Sequence, residues 1–211
     1  MPYGYLGQNQ PNQTVSNSGV FSITDVAELQ SQGKLGGSLE LIEEQTASGV
    51  TNIDFTSIQE NNYDVLYLQW SATGGSGAGD SDIRLSNNSG SSFIASGYQE
   101  AWQYGYSTGQ FAEVRSTSAT QMRITADVRS IGYSGGYVYF YNLGNSSKYS
   151  FITFQSFSDL NTSGFGDGFA FGGGVLPTAE IHNAIRINLY GNNGGVNATA
   201  KLYGVKQIWV T

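Results

Sequence analysis

The sequence predicts an all-β fold: an antiparallel, jelly-roll-like sandwich of two sheets, preceded by an extended N-terminal arm and one short helix. Three observations predict it. From about residue 36 onward, apolar and polar residues alternate with a period of two over most of the chain. Glycine supplies 29 of 211 residues, and turn signals recur at a spacing of roughly 8–15 residues, as sandwiches and barrels require. No segment of helical period alternates with the strands, which argues against an α/β arrangement. Hydrophobic residues make up 39% and aromatics 13% of the chain, enough for a core and too many for intrinsic disorder.

Residues 1–20 are polar and irregular and read as an arm, with Tyr3, Tyr5 and Leu6 as its candidate anchoring residues. Ser22 suits a helix N-cap, and Asp25 three residues later imitates a capping box. Ile23, Val26, Ala27 and Leu29 form an apolar stripe at 3/4 spacing, and Gly33 stands where a helix ends. Val26 and Leu29 join the anchoring set. Arm and helix make one region, 1–35, and the sandwich a second, 36–211.

Within the sandwich, residues 38–46 and 50–56 read as strands around a turn at Ser48-Gly49. Residues 63–71 are apolar on both faces, the mark of a central strand. The four glycines of residues 73–82 dictate a loop. Short strands are expected at 83–86 and 92–95, flanking a turn at Asn87–Gly90. Residues 98–106 are aromatic-rich and ambiguous. Residues 121–129, 136–142, 149–157 and 184–190 alternate as strands. Residues 160–175 read as a glycine-rich loop, and Gly172-Gly173-Gly174 as loop flexibility or tight chain passage. Asn192-Asn193-Gly194-Gly195 is the clearest hairpin signal. It joins 184–190 to a strand at 196–202, and a last strand covers about 205–210. The sum is about ten strands.

Charge and composition narrow the function. Nine Lys and Arg against sixteen Asp and Glu leave a net charge of −7, which repels phosphate backbones and anionic lipid surfaces. No nucleic-acid or membrane partner is expected. The absence of cysteine removes thiolate catalysis and cysteine-ligated metals, and suits assembly in a reducing cytoplasm. The N-terminus lacks the basic and apolar regions of a signal peptide.

Catalytic constellations are weak. Glu43 and Glu44 point to opposite faces of a strand. Glu40 and Glu44 share a face but stand about 13 Å apart, beyond a glycosidase pair at ~5–9.5 Å. Asp80 and Asp82 begin a calcium-type shell without the rest of an EF-hand pattern, and read as an ordinary hydrated loop. His182 is the only histidine; no nucleophile elbow accompanies it, and it reads as structural. No catalytic residue, cofactor or metal is assigned, and the chain is read as non-enzymatic.

The aromatics are the most suggestive set. Tyr98, Trp102, Tyr104 and Tyr106 cluster in sequence. Tyr137, Tyr139 and Tyr141 alternate against Val138 and Phe140, so one strand face is all tyrosine. These seven either fill the edge of the sandwich core or are the candidate contacts, with another subunit or with a glycan, since Tyr and Trp serve both.

Three stretches carry a family resemblance. The first is Asn17–Ser22 leading through Gly36-Gly37-Ser38-Leu39-Glu40-Leu41-Ile42. The second is Ile53–Ile58 followed by Tyr63-Asp64-Val65. The third is Gly136–Gly144 with Leu202-Tyr203-Gly204-Val205-Lys206. Together they resemble small virion structural proteins of tailed phages of aquatic bacteria, cyanophages included, of the tail-fibre-like or capsid-decorating kind. The resemblance implies a non-enzymatic protein on the virion surface, made in the host cytoplasm and released by lysis. It would be anchored by its arm and partnered by copies of itself, as a trimer, and by other virion proteins. An alternative is a carbohydrate-binding sandwich that recognises host surface glycans through Tyr and Trp.

Overall fold

The structure is a computed structural model that describes residues 23, 24, 27, 39–74, 79–125, 132–159, 167–189 and 195–206. The arm, with Tyr3, Tyr5 and Leu6, and the helix residues Val26 and Leu29 lie outside the described residues. Ile23, Thr24 and Ala27 have helical backbone.

Twelve strands are found among the described residues: β1 (Leu39–Val50), β2 (Asn52–Phe55), β3 (Val65–Thr73), β4 (Asp82–Ser86), β5 (Tyr98–Tyr106), β6 (Phe111–Ala119), β7 (Met122–Arg123), β8 (Tyr133–Tyr141), β9 (Ser150–Ser158), β10 (Gly168–Leu176), β11 (Ala184–Asn188) and β12 (Val196–Val205). They form two sheets. One has eight strands in the order β1-β12-β3-β8-β9-β10-β5-β6, and the other four in the order β2-β11-β4-β7. The pairs are antiparallel. The chain is therefore an all-β sandwich.

Alternation builds the core. Leu66, Leu68 and Trp70 of β3, Val138 and Phe140 of β8, and Leu202 of β12 face Ile53, Phe55, Ile83, Leu85, Ile185 and Ile187 of the smaller sheet in one buried cluster. Burying each such side chain stabilises the fold by about 1.5–3 kcal/mol.

Four expectations are corrected. First, Ser48-Gly49 is no hairpin turn. β1 runs through it to Val50, and the chain crosses at Thr51 into the other sheet. Second, no hairpin joins β11 to β12, because they belong to different sheets. Their apolar faces meet across the sandwich instead of lying side by side. Gly195 (φ 66°) is left-handed where β12 begins, and a side chain there would strike the backbone of Gly49, itself at φ 68°. Third, residues 168–176 are strand β10, between β9 and β5. Their glycines mark close packing: a Cβ at Gly172 would meet Trp102, and one at Gly174 would lie 2.7 Å from Met122 Cγ. Fourth, no strand forms at 92–95. Ile94 N–H donates to Leu85 O at 2.9 Å, and Leu85 N–H donates to the Tyr98 hydroxyl at 2.9 Å. Beyond the two-residue β7, one loop bond and one buried phenol thus satisfy the edge of β4 in place of a strand.

β6 falls where the alternation singles out no element, since its inner face carries only Ala112, Val114, Ser116 and, beyond a bulge, Ala119. The strand expected over 121–129 is observed only at Met122–Arg123, and residues 126–130 lie outside the described ones.

Candidate binding face

The outer face of the eight-stranded sheet is the candidate site. Strand register lays its side chains in rows across the strands. One row runs Tyr203, Tyr67, Tyr139, Thr153, Gly173, Ala101 and Arg115. The next runs Lys201, Gln69, Tyr137, Gln155, Phe171, Gln103 and Glu113.

The β12-β3-β8 portion of this face is tyrosine. The Tyr67 ring lies 5.0 Å from Tyr139, 5.9 Å from Tyr203 and 6.0 Å from Tyr137. Tyr137 OH donates to Gln155 Oε1 at 2.7 Å, and the Tyr141 and Thr153 hydroxyls stand 3.2 Å apart. Burial, then the neighbouring phenols of Tyr139, Tyr137 and Tyr203, push the Tyr67 hydroxyl above its ordinary value. It is a neutral donor at physiological pH.

The β9-β10-β6 portion is phenylalanine. Phe157 is 48%, Phe169 59%, Phe171 52% and Phe111 83% exposed. Phe157 opposes Phe169 directly, and Phe169 opposes Gly105, which opposes Phe111. The rings of Phe111 and Phe157 lie over glycines: a Cβ at Gly105 would sit 2.6 Å from Phe111, and one at Gly135 3.0 Å from Phe157. Glycine in these strands thus lets aromatic rings lie flat on the sheet.

Toward the other end of the same strands lies a groove of about 870 Å³, floored by Gly173 and Ala101 and walled by Phe151, Val175, Gln99 and Arg115.

The sequence-based contacts divide. Tyr137, Tyr139 and Tyr141 lie on the outer face. The β5 set does not: Tyr98, Trp102 and Tyr106 are buried on the inner face. Half-buried Tyr104 packs between Trp102 at 5.5 Å and Tyr106 at 5.3 Å. Burial raises the Tyr98 hydroxyl to about 12, and that hydroxyl is committed to Leu85 and Ile94. Their place in the core makes them packing residues, unavailable to a ligand.

Sequence reasoning missed Tyr67, Tyr203, the exposed phenylalanines and Arg115. A signal exists in β9: serines 150, 156 and 158 alternate with Phe151 and Phe157. Phe154 and Ile152 on the serine face disguised which side turns inward.

His182 is fully buried just before β11. Ser150 Oγ lies 2.8 Å from its Nδ1, and Glu180 Oε1 3.2 Å from its Nε2. The string has the composition of a nucleophilic triad, but Ser150 is also completely buried. No substrate reaches its oxygen in this conformation. Burial lowers the His182 pKa against the opposing pull of Glu180.

Asp80 and Asp82 each have a cationic partner. Asp80 lies 3.5 Å from Arg123, while buried Asp82 accepts from Asn188 and stands 4.0 Å from Arg84. Among the described residues no cluster of three His, Cys, Asp or Glu could hold a metal. Burial raises Asp82 to about 6, against the lowering effects of Asn188 and Arg84. Its folded pKa exceeds the unfolded value near 3.9. The resulting stabilisation is complete below pH ~4 and lost as pH rises through about 6, amounting to about 2–3 kcal/mol. His182 works oppositely, contributing stability above ~6.5 that is lost as pH falls. In thermal melts from pH 5 to 8, Asp82→Asn is expected to gain stability over wild type as pH rises through about 6 and to level off above ~7. A constant difference across that range would show that Asp82 does not titrate there.

No protein family matches the chain, and no curated protein or solved structure matches it significantly.

Proposed function

We propose that the chain is a non-enzymatic structural protein of a tailed-phage virion, a tail-fibre or capsid-decorating component anchored by its N-terminal arm. It is made in the host cytoplasm, released by lysis and displayed on the particle surface. The virion assignment rests on the sequence resemblance, and the observation that supports its assembly with copies of itself is the phenylalanine patch of Phe111, Phe157, Phe169 and Phe171. At their exposures these rings leave on the order of 500 Å² of apolar surface to solvent. That is near the upper end for a monomer's largest patch and most of the ~800 Å² per partner of a standard interface. Neighbouring side chains supply the remainder. The patch is assigned to copies of this chain, assembled as a trimer.

The strand order supports a jelly roll within the sandwich. β1-β12-β3-β8 and β2-β11-β4-β7 make two four-stranded sheets. The chain changes sheet at every step except β4 to β7, the pattern of two nested Greek keys. β5-β6 and β9-β10 are then two inserted hairpins that pair with each other through β5 and β10.

Light scattering on the size-fractionated protein tests the assembly. A trimer mass at micromolar concentration is expected; a monomer up to about 100 μM, weaker than any standard interface of this size, would remove the self-association reading.

A second reading, carbohydrate binding, is favoured by one observation. The row Tyr203-Tyr67-Tyr139 offers aromatic faces with the amide side chains of Gln69 and Gln155 beside them. Stacking faces flanked by amides suit sugar rings. The two readings share part of one face, because Tyr67 and Tyr137 line a single pocket with Phe157 and Phe169, while Tyr203 and the groove at Gly173 and Ala101 lie outside that pocket.

A further inference from the structure

We infer that the groove floored by Gly173 and Ala101 is a binding site for an acidic polysaccharide, with Arg115 taking the sugar's carboxylate. The inference rests on the carbohydrate reading above and names its ligand class and charge.

The floor comes first. Gly173 projects no side chain, and its strand partners on this face are Thr153 and Ala101. A ligand therefore approaches the sheet closely along this line, with the rings of Phe151 and Phe171 in the rows to either side. β10 lies between β9 and β5 and is paired with both, so the floor has no free backbone edge. The free edge nearest the groove is that of β6, the last strand of the sheet, so an extended peptide would pair there, beside the floor and not across it. What remains is side-chain chemistry.

That chemistry is specific. Phe151 is 43% exposed and stands on the groove wall, offering a ring to the apolar face of a sugar. Gln99 and Thr117 supply amide and hydroxyl partners for ring hydroxyls. Arg115 is exposed, lines the groove and has no hydrogen bond or ion pair among the described residues. Glu100 also borders the groove, but its carboxylate accepts from Arg123 N–H at 2.8 Å and lies 3.8 Å from Arg123 Nε, with its side chain 1% exposed. Glu113 stands one row away, beside Gln103. The groove thus presents one unpaired cation, and a guanidinium favours a planar carboxylate bound by two parallel hydrogen bonds. A uronic acid residue combines the apolar ring face, the hydroxyl edge and the carboxylate. The tyrosine row continues the groove across β9 to β8, β3 and β12, about 30 Å from Arg115 to Tyr203 at strand spacing, so the ligand is a chain and not a monosaccharide.

The test is calorimetric titration of the full chain with oligogalacturonate, oligomannuronate, a sulfated galactan, the methyl ester of the first, and poly-glutamate. Preferential binding of an acidic oligosaccharide over the ester and over poly-glutamate is expected. Arg115→Gln should reduce that preference tenfold or more, and Phe151→Ala should weaken acid and ester alike. Both positions are exposed, and circular dichroism of each variant checks the fold. Equal affinity for acid and ester, or an unchanged preference in Arg115→Gln, would overturn this inference and leave the carbohydrate reading standing. No binding to any oligosaccharide would overturn both. Equal binding of poly-glutamate would reassign the groove to acidic peptides.

Discussion

Trp102→Ala is expected to destabilise the sandwich by about 3–5 kcal/mol and to leave ligand binding by the remaining folded protein unchanged. Trp102 is 5% exposed, meets the Phe154 ring at 6.4 Å and fills the space that Gly172 leaves open. Truncation removes the largest side chain linking β5 to the core, and the paired strands around it cannot collapse into the cavity. For a domain of this size the loss corresponds to a fall in melting temperature of roughly 6–20 °C. Trp102→Phe is the informative companion. The indole N–H has no acceptor among the described residues, so the smaller ring discards an unsatisfied buried donor and keeps most of the contact. Its melting point should lie much nearer to wild type. A wild-type melting point in the alanine variant, or lost glycan affinity without lost stability, would contradict the burial of this ring.

The double variant Phe169→Ser, Phe171→Ser is expected to convert the proposed trimer to monomer. Rings at the centre of a desolvated interface are each worth about 2 kcal/mol or more, roughly thirtyfold in affinity per ring. The two side chains are 59% and 52% exposed, so little core packing is lost and the melting point of the isolated subunit should change only slightly. Sedimentation velocity across concentration reads the outcome. An undiminished trimer would move the interface away from this end of the sheet, and a variant that unfolds would show these rings to be structural.

Much of the fold was legible. Alternation located β3, β8, β9, β11 and β12, and the tyrosine face of β8 followed from three residues. The failures share a physical origin. Glycine density over 160–175 signals a loop, whereas Gly172 and Gly174 of β10 stand against Trp102 and Met122, where a bulky neighbour requires an empty position. The two supposed hairpins failed because a turn signal states that the chain bends, not whether it returns to the same sheet. Glycine at 49 and 195 serves crossings between sheets. The β5 aromatics stay ambiguous in the sequence, because it does not reveal which face of an isolated aromatic strand turns inward. That choice is fixed by the partner strands, through the bulk of Phe154 and the absence of bulk at Gly172.

β12 lies between β1 and β3, so the last of the described strands to be translated completes a sheet whose neighbouring strands, β1 and β3, were translated before most of the chain. Its contacts span most of the sequence, an order that slows folding. A ribosome that has not yet released residue 205 holds β3 with its Leu68 and Trp70 face formed and one edge unpaired. During that interval the nascent chain offers bare strand edges to its neighbours. A polysome making this protein therefore carries many half-closed sandwiches at once, and chaperone demand should peak just before synthesis of the final described strand ends.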